Sequence, residues 1–95
     1  MAVFVLTCID RPGALEVRMA ARPAHQNYVA AHRERLKLAG PLLDDAGAMA
    51  GSMFIIEAET RAEVEAFAAA DPYALAGLFD RTEIRPIKIT VGALA

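Results

Sequence analysis

The first ten residues constrain the fold more than any other stretch. In MAVFVLTCID, Ala2, Phe4, Leu6 and Cys8 alternate with Val3, Val5, Thr7 and Ile9. Both faces of the extended chain are apolar, and β-branched residues are frequent. That pattern belongs to a central strand, with neighbours on both edges and cover on both faces. A chain of 95 residues has material for one modest core, so a single domain over residues 1–95 is expected.

The rest of the chain supplies the neighbours. DRPG at 10–13 is turn chemistry, proline setting one φ and glycine permitting a positive one. Residues 14–21 read as a helical lead-in, and Pro23 fits the first turn of a main helix running to about residue 37. Strands follow at about 38–44 and 52–59, joined by a link at 45–51 rich in glycine and small residues. Pro41 assigns the first of these strands to an edge. Thr60 and Glu63 form a capping-box pattern opening a second helix, with Val64, Phe67 and Ala68 as its buried stripe. DPY at 71–73 ends that helix, and a short helical turn spans 73–78. The last strand covers about 83–91, with Arg85, Ile87, Ile89 and Val91 on one side.

The order β-α-β-β-α-β is the ferredoxin-like arrangement, an α+β fold with an antiparallel four-stranded sheet and both helices on one face. The other face of such a sheet stays apolar and needs cover. A second copy packed sheet to sheet is the simplest cover, so a homodimer is expected.

Composition narrows the function. The net charge is −2, and ten basic residues are mixed with twelve acidic ones, which gives nucleic-acid binding no electrostatic support. The single cysteine excludes an intrachain disulfide and a zinc pattern, and fits the reducing cytoplasm. The opening apolar run lacks a basic leader and is too short to cross a bilayer, so neither export nor a membrane partner is expected. No phosphate-binding glycine loop, nucleophile elbow or His/Cys metal spacing is present, and no cofactor is expected. A metal site could draw only on His25, Asp71 and a loop carboxylate.

The chemistry concentrates in RMAARPAHQNYVAAH, residues 18–32. His25, Val29, His32 and Leu36 recur at helical spacing on one face, and Val29 and Leu36 make it the packing face. In the proposed topology the start of the first helix and the end of the second meet at one edge. That edge collects the 10–13 loop, Arg18, Arg22, His25, Asp71 and Tyr73. A carboxylate beside an imidazole fixes its tautomer and favours its protonated form. Structural readings compete at each position. Asp71 before Pro72 is also an N-cap pair, and His25 could be a core-edge histidine bonded to backbone. Arg18 and Arg22 could face water or pair with Glu16 or Asp10. His32 and Cys8 read as packing residues.

RxxxRPAHQNYV at 18–29, LAGPLLDD at 38–45, Gly51 opening a strand that ends in an acidic residue, and AAADPYALAGL at 68–78 follow one another in order. Together they resemble the YciI-like (YCII-related) family over nearly the whole chain. The resemblance implies a ferredoxin-like fold, a dimeric α+β barrel, and a proposed active site of histidine and aspartate at His25 and Asp71. The best understood branch of that family eliminates chloride from a chlorinated hydroxyquinol, and related barrels include muconolactone isomerases. Tyr73 stands where phenylalanine is common.

Two functions are therefore expected to compete. In the first, a cofactor-independent lyase or isomerase uses His25 as acid or base and Asp71 to orient it, while Arg18, Arg22 and Tyr73 contact a small polar or aromatic substrate, anionic ones included, and Arg18 or Arg22 offsets developing negative charge. In the second, a homodimeric module binds a small anionic metabolite without transforming it, or serves as an accessory to another enzyme.

Overall fold

A computed structural model describes residues 1–93. Four strands and three helices follow in order: β1 (Ala2–Asp10), α1 (Leu15–Ala31), β2 (Leu36–Leu43), β3 (Met49–Ala58), α2 (Arg61–Ala70), α3 (Pro72–Leu75) and β4 (Phe79–Pro86). The strands form one antiparallel sheet ordered β2-β3-β1-β4, the ferredoxin-like order. β1 is a central strand, and its neighbours set Leu6 opposite both Phe54 and Ile84.

Alternation along the strands sorts the two faces. Phe4, Leu6, Cys8, Phe54, Ile56 and Ile84 are buried beneath the helices with Val64 and Phe67 of α2, and Tyr28 and Val29 of α1 pack against the same cluster. Val3, Val5, Ile9, Met53 and Ile55 lie on the other face, only half-buried. The capping box of α2 is complete: Thr60 Oγ1 accepts from the Glu63 N–H, and Glu63 Oε1 accepts from the Thr60 N–H.

Several boundaries depart from the sequence reading, each for a local reason. α1 is one continuous helix with Pro23 inside it, rather than a lead-in followed by a second start. The carbonyl that loses its helical partner is that of Met19, a residue 45% exposed, so water can replace the bond while the opposite side of the helix packs. His25 consequently sits in mid-helix rather than in a first turn. The helix stops at Ala31, and Leu36 reaches the core from β2, not from the helix face shared with His25. β3 begins at Met49 because the turn closes early: Asp44 Oδ1 accepts from the N–H groups of Ala46 and Ala48, and Gly47 takes φ 89°. β4 begins at Phe79 and ends at Pro86, so Ile87, Ile89 and Val91 follow the strand instead of belonging to it. They border, with Leu38 and Ile55, a shallow apolar depression on the open face of the sheet. Pro41 does lie on an edge strand, opposite Ser52.

Candidate active site

Asp10 ends β1 on the parity of Phe4, Leu6 and Cys8, at a register shift in the ladder with β4. Its carboxylate meets Arg18 of α1: Nε donates to Oδ2 at 2.8 Å and Nη2 to Oδ1 at 2.9 Å. Nη2 also donates to Ser52 Oγ at 2.9 Å. The guanidinium is buried, and its Cζ lies 4.5 Å from the centre of the Tyr73 ring. Burial works against the charge of Arg18, but hydrogen bonding and attraction to Asp10 outweigh it and raise its pKa. Of the two carboxylates weighed from sequence, Asp10 rather than Glu16 is the partner.

Tyr73 links this ion pair to the histidine. Its ring stacks on the His25 imidazole with centroids 3.9 Å apart and planes at 16°. Burial pushes its phenol up, with Arg18 and Arg22 opposing, so Tyr73 is neutral at ordinary pH. Phe54 approaches the imidazole from the sheet, 6.2 Å between centroids. His25 Nδ1 lies 2.8 Å from Oδ1 of Asp71, whose side chain is 2% exposed.

Asp71 does two things with one atom. The same Oδ1 accepts from the Tyr73 N–H at 2.9 Å, capping α3. The helix cap and the contact with the imidazole thus share one oxygen. With the carboxylate oxygen as the acceptor, His25 Nδ1 is the donor of this contact and Nε2 is the ring nitrogen facing away from it. Nε2 has no hydrogen bond among the described residues. The ring borders a cleft of about 310 Å³ between α1 and the β2–β3 side of the sheet. Arg22, Gln26 and Val29 extend the helical wall, while Pro41, Met49 and Phe54 form the opposite one.

The five residues singled out from sequence, Arg18, Arg22, His25, Asp71 and Tyr73, therefore converge. Arg18, Arg22, His25 and Tyr73 border the cleft, and Asp71 stands behind the imidazole. His32 is elsewhere: its Nδ1 donates to the Tyr28 carbonyl at 2.8 Å, and its ring lies among Tyr28 and Phe67. Cys8 is buried in the core, its thiol pushed up to about 12 by burial, Asp71 and Asp10, with Arg18 opposing. Ser52 and Gln26 were not anticipated. Ser52 carried a signal, being a polar residue on the same parity of β3 as Phe54 and Ile56. Among the described residues, no three His, Cys, Asp or Glu side chains gather as metal ligands. No helix among them is long and apolar enough to cross a membrane.

A four-stranded antiparallel sheet in this order, with its helices on one face, defines the class: the ferredoxin-like α+β fold. The chain belongs to the YCII-related domain family, whose sequence model matches residues 2–88. It is 36% identical to Protein YciI of Escherichia coli O6:H1 over 94 residues, which cover 90% of this chain and 96% of the relative. Protein YciI of Shigella flexneri matches equally. Among solved structures it is similar to the 5-chloro-2-hydroxyhydroquinone dehydrochlorinase of Burkholderia phenoliruptrix in complex with 2,5-dihydroxybenzoquinone. The identity is 37% and the TM-score 0.84, covering 90% of this chain and 93% of that one. An antibiotic biosynthesis monooxygenase shares the fold at 13% identity and TM-score 0.57, covering 96% of this chain and all of that one.

Proposed function

We propose that the protein is a small-molecule enzyme in which His25 and Asp71 form an acid–base dyad for proton abstraction followed by elimination or isomerisation. The observation that carries this reading is the 2.8 Å contact of His25 Nδ1 with Asp71, which leaves Nε2 as the free basic nitrogen of a ring bordering the cleft. Nε2 takes a proton from carbon, and Asp71 stabilises the resulting imidazolium. The electron pair left behind either expels a leaving group or is reprotonated by His25 at another carbon. Arg22 offsets the developing negative charge, while Arg18, paired with Asp10, braces the Tyr73 ring that stacks on the face of the imidazole. This equipment needs one titrating group and a charge stabiliser, with no strong nucleophile.

Similarity to the dehydrochlorinase supports the elimination and supplies an assay: chloride release from 5-chloro-2-hydroxyhydroquinone. His25→Ala is expected to abolish turnover with the fold intact, and an unchanged rate overturns the assignment. Saturable binding of that compound with no product over long incubation favours the binding-module reading instead. A homodimer joined through the open sheet faces is part of the same proposal, supported by the half-buried apolar residues there. A monomeric mass by light scattering at micromolar concentration removes it.

A further inference from the structure

The lining of the cleft is electrostatically one-sided. Arg18, Arg22 and His25 border it, and among the described residues no aspartate or glutamate does. The chain as a whole has twelve acidic against ten basic residues, so this depletion of carboxylates is local. The two arginines differ in one respect that decides what the cleft can hold. The charge of Arg18 is matched by Asp10, its Nε and Nη2 both committed to that carboxylate. Arg22 is half-buried and makes no ion pair or side-chain hydrogen bond among the described residues. One cation at the cleft thus lacks a counter-ion.

A half-buried guanidinium presents paired N–H donors in a plane, the geometry that a carboxylate matches bidentately. A single uncompensated positive charge calls for a single negative one. A phosphate dianion would carry a second charge into a cleft whose other walls, Val29, Pro41, Met49 and Phe54, are apolar. Size sets a further limit. A dry cavity of about 150 Å³ holds benzene, so about 310 Å³ suits one substituted ring. Arg22 and His25 are three residues apart on one helix, which brings their Cβ atoms to about 5–6 Å. A carboxylate on Arg22 and an acidic C–H before His25 then fall within the width of one ring.

We infer that the ligand of this cleft is a compact, single-ring monoanion, with its anionic oxygen, a carboxylate or an ionised phenol, paired to Arg22 and its ring against the Phe54 and Pro41 wall. The inference rests on the acid–base reading for the orientation of the C–H, but its charge argument stands apart from catalysis and is tested by binding alone. Benzoate, benzyl alcohol and benzylammonium share one frame and differ in charge. Titrated into the isotope-labelled protein, benzoate is expected to shift the Arg22, His25 and Phe54 signals saturably. It should bind about tenfold or more tightly than benzyl alcohol, the margin of a charge-assisted hydrogen bond, and benzylammonium should leave those signals unmoved. Arg22→Gln should reduce benzoate to the level of benzyl alcohol, whereas Arg22→Lys, which keeps charge but loses the fork, should fall between. Unchanged signals elsewhere in the spectrum establish that both variants fold.

Equal affinity for benzoate and benzyl alcohol, no saturable benzoate binding, or a preference that survives Arg22→Gln each overturns the inference. None of these outcomes touches the His25 assignment, which turnover of His25→Ala decides. An unchanged rate in that variant would in turn leave the anion preference standing.

Discussion

Asp71 offers a test in which stability and chemistry separate. Its Oδ1 receives both the Tyr73 N–H that caps α3 and the His25 Nδ1–H. Asp71→Ala removes both bonds. The lost cap costs about 1 kcal/mol and the lost charge-assisted bond about 1.5–3 kcal/mol, so the variant should be destabilised by about 2.5–4 kcal/mol. Asn is as good an N-cap as Asp, and its carbonyl oxygen can accept from both donors. Asp71→Asn therefore forfeits only the negative charge and should cost about 1 kcal/mol, the margin between charged and neutral acceptors. Turnover should follow a different order. The imidazolium formed on proton abstraction loses its counter-charge in both variants, so both should slow by about tenfold to a hundredfold. Urea unfolding at constant m reads the first quantity and chloride release the second. If Asp71→Asn turns over at the native rate, Asp71 is only a helix cap. If it is as unstable as Asp71→Ala, the shared-oxygen account fails.

Three further outcomes follow from buried groups. Asp10→Asn leaves the Arg18 guanidinium buried without its counter-charge and should cost about 3–5 kcal/mol, while adding Arg18→Met should recover part of that loss. Additive losses in the double variant would show that the pair is not coupled. Cys8 is raised from 9.0 to about 12 in the folded protein, so the unfolded chain releases this proton first and stability falls as pH rises from about 9 to 12. Near pH 10.5 the loss is about 2 kcal/mol relative to neutral pH. Because Tyr28 and Tyr73, raised chiefly by burial, act with the same sign, the measurement is the difference in alkaline slope between native protein and Cys8→Ala, and equal slopes refute it. A Cβ at Gly51 would stand 2.5 Å from the Cys8 carbonyl oxygen. Gly51→Ala should therefore lower the melting temperature, since backbone rather than a flexible side chain must give way, and an unchanged melting temperature contradicts that close approach.

Local patterns were sufficient for the elements and their order. The two-sided apolar run of β1, the proline that keeps β2 at an edge, the Thr60–Glu63 capping box and the Val64–Phe67 stripe each act over a few residues. Antiparallel pairing in this element order puts the start of α1 and the end of α2 at one edge, yet His25 reaches Asp71 from the middle of α1, because the helix already begins at Leu15. Boundaries were less legible because they depend on competition. Pro23 ends or opens a helix in isolation, yet here the packing of α1 carries the helix through it. Ile87, Ile89 and Val91 alternate like a strand, but the regular strand ends at Pro86, although the Ile87 N–H still donates to the Val3 carbonyl.

What only the tertiary structure decided is how the arginines divide. In sequence, Arg18 and Arg22 are equivalent positions one turn apart, each open to a substrate, to water or to a pairing with Glu16 or Asp10. Arg18 became the buried partner of Asp10 and Ser52, beneath Tyr73, because β1 and β3 bring those two side chains together. Arg22, one turn further on, pairs with no acidic side chain among the described residues and borders the cleft. Sequence by itself determined the order of the elements and the residue types at the site, because propensity and periodicity are local. Which charge is neutralised and which is left for a ligand depends on side chains distant in sequence, and only the packed sheet and helices bring them within reach of one another.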